Sequence, residues 1–99
     1  MDPLLRASIE EINKIDPYGF FAGAAENPDA PWDEYAPEAK DFLLHMRQHG
    51  PIDIAALDVI WNKWFGSPGD PVTVTKLVGE ERAEVLVDRL NKVWGEAHK

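Results

Sequence analysis

The stretch PIDIAALDVIWNKWFG, residues 51–66, decides how this chain folds. Asp53 is of the residue class that caps a helix by accepting from the first free amides. Ile52 before it and Leu57 after it have the spacing of a hydrophobic staple. Between Asp53 and Gly66, Ile54, Ala55, Ala56, Leu57, Val59, Ile60, Trp61, Trp64 and Phe65 occupy almost the whole helical circumference, leaving a narrow strip of Asp58 and Asn62. A helix apolar on so many sides is expected to be the central, most buried element of a helical domain.

Working outward, Gly50-Pro51 ends the preceding helix. That helix opens at Pro37 and carries Ala39, Phe42, Leu43 and Met46 on one stripe as far as His49. Its acids Glu38 and Asp41 lie early and Arg47 and His49 late, the arrangement that the helix dipole favours. Further back, Asp2-Pro3 is an N-cap with proline in the first turn, and Leu5, Ile9, Ile12 and Ile15 follow at helical steps. Asp16-Pro17-Tyr18-Gly19 then has the residues of a type I turn at their preferred corners. Downstream, Ser67-Pro68-Gly69-Asp70-Pro71 breaks the chain, and Val72-Thr73-Val74-Thr75 reads as a short extended piece or a lead-in. A last helix is expected from near Gly79, with Val85, Leu86, Leu90, Val93, Trp94 and Ala97 as its apolar face. The sum is an all-α fold: one compact four-helix domain over residues 1–99, with a long ordered loop between the first and second helices.

Ninety-nine residues make one domain's worth of chain, 44% of it apolar, which suffices for a core without staples. The chain has no cysteine, so disulfides and zinc thiolate centres are excluded. A net charge of −8 is the wrong sign for gripping a phosphate backbone, and no nucleic-acid partner is expected. Met1–Arg6 lacks the charge and apolar run of a secretory leader, and no stretch has the eighteen consecutive apolar residues of a membrane span. The expectation is a cytoplasmic protein with no membrane partner.

The acidity is local. Residues 1–50 hold ten acids against four bases, whereas residues 51–99 hold eight against six. From Glu26 to Glu38 there are five acids, Glu26, Asp29, Asp33, Glu34 and Glu38, and no base. The same region, residues 16–36, lacks helical period yet contains Tyr18, Phe20, Phe21, Trp32 and Tyr35, half of the aromatic residues. Long structureless loops within small domains are usually functional or misassigned. Two readings stand: the aromatics plug the end of a helical bundle, or they form a docking surface with the acids. In the second, Asp29, Trp32, Asp33, Glu34, Tyr35 and Glu38 are the contact residues, and the partner is a basic protein surface captured by charge complementarity, as immunity proteins and nuclease inhibitors do.

Asp16-Pro17-x-Gly19 followed by Ala30-Pro31-x-Asp33-Glu34-Tyr35-x-Pro37-Glu38 resembles the signature block of the YugE-like family, small bacterial helical domains in which the block reads A-P-x-D-E-Y-D-P-E. The resemblance implies an all-helical fold and no established activity. Ala36 stands where that family has Asp. An Asp there would cap the second helix, so its loss is expected to cost about 1 kcal/mol unless Asp33 or Tyr35 compensates.

No phosphate loop, nucleophile elbow, H-E-x-x-H or cysteine nucleophile is present, and a non-enzymatic protein is expected, with no cofactor. Asp41, His45 and His49, at i, i+4 and i+8, form a stripe that could serve a metal or small ligand, although three groups in line need a further ligand from elsewhere. Asp33-Glu34 lacks a nucleophile beside it, and Asn27, Asp29, Asp33 and Glu34 lack the spacing and central glycine of a calcium loop. Trp61, Trp64 and Phe65 belong to the core or, if exposed, to a homodimer seam on the third helix.

Overall fold

The structure, a computed structural model, describes residues 2–17 and 35–97. The described residues form five helices: α1 (Pro3–Ile15), α2 (Ala36–His49), α3 (Ile54–Phe65), α4 (Val74–Val78) and α5 (Glu80–Ala97). There is no strand among them beyond one isolated bridge between Ser67 and Asp70. The all-α class is as the sequence indicates, but the count of four is corrected to five. The long loop between α1 and α2 falls largely on residues 18–34, outside the described residues, as do Tyr18 and Gly19 of the turn at Asp16-Pro17-Tyr18-Gly19.

Local chemistry explains each boundary. Asp2 accepts from the Leu4 amide at 3.1 Å, with Pro3 in the first turn, and α1 stops where Asp16 takes left-handed backbone angles and its amide returns to the Ile12 carbonyl. Asp53 caps α3 through the Ala56 amide at 2.8 Å, and the Ile52 and Leu57 side chains are both buried. The additional helix, α4, arises at Thr73. In extended conformation, its hydroxyl accepts from the Lys76 amide at 3.0 Å, so Val72-Thr73 is a cap rather than a strand. Gly79, at φ +91°, separates α4 from α5, a backbone angle that side chains rarely allow.

The start of α2 differs from expectation by one register position. Ala36 is already helical and Tyr35 occupies the cap position without a side-chain cap bond. An acid at 36 would therefore stand in the first turn, where it meets the dipole but does not cap.

The core is assembled from Ile9, Ile12 and Ile15 of α1, Ala39, Phe42, Leu43 and Met46 of α2, Leu57 and Trp61 of α3, Val74 of α4, and Ala83, Leu86 and Leu90 of α5. α1 packs against α2 and α5, α3 against α2, α4 and α5, and α4 against α5. Contrary to expectation, α3 is not the most buried helix: only Leu57 and Trp61 are fully enclosed, while Val59 is 69% exposed, Trp64 46% and Phe65 38%. The physical reason lies in its flanks. α2, α4 and α5 pack against it, the segment leading into α4 covers the side of Asp58 and Asn62, and Val59, Trp64 and Phe65 are left exposed. On α5 the buried stripe runs Ala83, Leu86, Leu90, so Val85 faces out.

Polar hooks hold the pieces in register. The Asn91 side chain pairs with both backbone groups of Ile52, accepting from its amide at 2.8 Å and donating to its carbonyl at 2.9 Å, which ties the α2–α3 connection to α5. Asp58 accepts from the Thr75 amide at 3.1 Å and hydroxyl at 2.6 Å. Asn62 accepts from the Val72 amide at 2.9 Å. The polar strip of α3 is thus the seam that fastens α4. Ser8, buried on α1, donates back to the Leu4 carbonyl at 2.9 Å.

Candidate functional site

Two regions carry the candidate chemistry: the acidic aromatic segment between α1 and α2, and the outer face of α2. Asp29, Trp32, Asp33 and Glu34 lie outside the described residues, as do Glu26, Tyr18, Phe20 and Phe21. Tyr35 and Glu38, the other two expected docking residues, are buried. They stand in the interior and drop out of the contact set.

Tyr35 shows why. Its hydroxyl donates to Asp16 Oδ1 at 2.8 Å, across nineteen positions of sequence, and its ring lies 5.8 Å from Trp61. Trp61 in turn stacks on Phe42 at 6.3 Å and meets Phe65 at 5.0 Å. The separations fit aromatic pairs that add to burial. For this residue the plug reading is the one that describes its position: the ring fills the bundle end, and the phenol satisfies its polarity on the residue that ends α1. Asp16 is the chain's non-glycine residue with positive φ among the described residues, at +51°. A side chain that tolerates that conformation and can also accept a hydrogen bond suits both tasks. Asp16 and Tyr35 are thereby fastened to one another, and Tyr35 to the aromatic core.

On α2 the expected stripe is partly assembled. His45 and His49 have ring centroids 4.9 Å apart, as their i, i+4 spacing requires. Asp41 is turned elsewhere. Its Oδ2 receives the Trp64 indole N–H at 2.8 Å and the Lys63 ammonium at 3.1 Å, so that carboxylate oxygen serves as the α2–α3 tether. Among the described residues no group of three or more His, Cys, Asp or Glu side chains is gathered as a metal would need. The third arm of the stripe is drawn off by α3, a competition that spacing along one helix cannot reveal.

The groups that the sequence did not single out are cationic. Lys40 and Arg47 project from α2 beside Leu43 and Leu44, facing Leu5 of α1 across a cleft of about 310 Å³. A second, shallower recess of about 160 Å³ lies on the other side of Leu44, against Ile60 and Lys63. Leu44 itself is 47% exposed. The only signal for this face in the sequence is the i, i+7 spacing of two bases on a helix in an acidic chain. No helix among the described residues is long and apolar enough to cross a membrane. No protein-family model matches the chain, and neither a curated protein nor a solved structure matches it.

Proposed function

We propose that this protein is a non-enzymatic binding module of the bacterial cytoplasm whose acidic segment captures a basic protein surface, in the manner of an immunity protein or inhibitor. The observation that supports this reading most is the Tyr35–Asp16 hydrogen bond. It joins two residues that flank positions 18–34, and fixing the flanks of a binding segment lowers the ordering cost of association. With Tyr35 and Glu38 taken up by the interior, the contact chemistry falls to Glu26, Asp29, Trp32, Asp33 and Glu34, four acids around an indole without a base. Such a composition suits a cationic partner whose encounter is steered by charge. Kinship with the YugE-like domains is part of the same proposal, carried by the Ala30-Pro31-x-Asp33-Glu34-Tyr35-x-Pro37-Glu38 block.

The test is affinity capture on the immobilised protein at low ionic strength, followed by binding of the purified captured partner. The expected result is release by salt and a weakening of about tenfold or more when Asp33→Lys and Glu34→Lys are combined. Failure to retain a partner at low salt, or retention unchanged by the charge reversal, refutes the reading.

A second reading, self-association through α3, is favoured by the exposure of Val59, Trp64 and Phe65. Light scattering at high concentration decides it: a mass twice the 11.1 kDa chain that reverts to one copy in Val59→Glu supports the dimer, and a monomer in the wild type removes it.

A further inference from the structure

The cleft between the first turns of α1 and the outer face of α2 combines three features. Its floor is apolar, made by Leu5, Leu43 and Leu44, and its volume of about 310 Å³ is at the small end of ligand sites. Its rim carries Lys40 and Arg47, both exposed. The third feature is what these two bases lack. Among the described residues, Arg6, Lys14, Lys63 and Arg89 are ion-paired, while Lys76 and Arg82 donate to the backbone carbonyls of Pro71 and Ile15. Lys40, Arg47 and Lys92 have neither an ion pair nor a hydrogen bond, and two of these three border one cleft.

Two acids, Asp2 and Asp41, also line the cleft, but neither is ion-paired with Lys40 or Arg47. Asp2 accepts from the Leu4 amide as the α1 cap, and Asp41 holds Lys63 and Trp64. The lining thus holds two acids and two bases, and the bases are the pair left without an ion pair beside the leucine floor. Lys40 and Arg47 are two helical turns apart, about 10 Å along the axis, with Leu43 and Leu44 between them. Their long, mobile side chains can close on an anionic head while an aliphatic tail lies on the leucines.

We propose that this cleft binds a small amphipathic anion, an aliphatic carboxylate of medium chain length, with Lys40 and Arg47 holding the carboxylate and Leu5, Leu43 and Leu44 the chain. None of the lining residues belongs to the acidic segment, and the proposal does not rest on that segment's partner. A second copy of the chain or a protein partner is the competing occupant, and the experiment separates them.

The experiment is a titration of the full chain with octanoate, followed by amide chemical shifts. The expected result is saturable shifts confined to residues 2–6 and 40–47, at about millimolar affinity for a ligand of this size. Octanol, with the same chain and no charge, should bind at least about threefold more weakly, the minimum contribution expected of charge-assisted contacts. Lys40→Gln combined with Arg47→Gln should weaken octanoate at least about fivefold while leaving thermal unfolding unchanged, because both side chains are exposed. Leu44→Ser, which keeps the cations and removes part of the floor, should also weaken it. Any of four results overturns the proposal: no saturable shift, octanol binding as well as octanoate, octanoate affinity indifferent to the double variant or to Leu44→Ser, or variants that change the mass in solution instead of the titration.

Discussion

Arg89 of α5 grips Glu11 of α1 with two nitrogens, Nε at 2.7 Å from Oε2 and a terminal nitrogen at 3.3 Å from Oε1. Lys14 adds a contact to Oε1 at 2.8 Å. Glu11 is only 6% exposed, so these bonds are made by a carboxylate largely removed from water, in the fork geometry that suits guanidinium to carboxylate. Together with the Arg82 donation to the Ile15 carbonyl at 2.5 Å, they fasten the first helix to the last.

That bond makes stability depend on pH in a defined direction. The Arg89 hydrogen bond, aided by Lys14, holds the Glu11 carboxyl below its ordinary value of 4.5 against the opposing effect of burial. A lowered folded value means the contribution is fully present above the unfolded value and is lost as pH falls through the folded one. Glu11→Gln should cost about 1–3 kcal/mol at neutral pH, with the deficit shrinking in acid. Urea melts of both proteins at neutral and acidic pH check this; a deficit that does not change with pH would refute it.

Tyr35→Phe removes only the hydroxyl that reaches Asp16 and keeps the ring against Trp61. The expected loss is about 1 kcal/mol, the net worth of one hydrogen bond, whereas Tyr35→Ala adds a cavity and should cost about 3–5 kcal/mol. Denaturant midpoints compare the two. Equal losses would mean the hydroxyl, not the ring, anchors this end of the bundle.

Gly66 ends α3 without a left-handed angle, at φ −85°, so conformational freedom is not its reason for being glycine. A Cβ there would overlap Asn62 Oδ1, the oxygen that accepts from the Val72 amide. Gly66→Ala should therefore destabilise by about 1–3 kcal/mol through the displaced hydrogen bond. Hydrogen exchange should show the Val72 amide losing protection in Gly66→Ala and in Asn62→Ala alike. Protection retained in either variant contradicts the argument.

Asp58 and Thr75 share two hydrogen bonds across seventeen residues. Asp58→Ala and Thr75→Val in a double-mutant cycle should show a coupling of about 0.5–3 kcal/mol, as residues of one network do. Additive effects would indicate that α4 is held by Val74 burial alone.

The sequence by itself determined the helical class, the caps at Asp2 and Asp53, the Ile52 and Leu57 staple, and the stops at Asp16 and Gly50. These are local properties, written in side-chain spacing and in which residues can satisfy the nearest free amides. Tertiary structure alone decided what each face meets. Asp41 belonged to a plausible i, i+4, i+8 stripe until Lys63 and Trp64 of another helix drew its carboxylate away. Trp61 and Trp64 are three residues apart on one helix, yet the first is enclosed by Tyr35 and Phe42 and the second is half open to solvent. Tyr35 and Glu38 belonged by composition to an acidic aromatic surface and by packing to the interior. Lys40 and Arg47 became conspicuous only once the other bases were placed, Lys63, Arg82 and Arg89 with partners on other helices and Arg6, Lys14 and Lys76 with neighbours in sequence. Periodicity states which residues share a face, but the burial and charge of that face are fixed by neighbours brought from far along the chain.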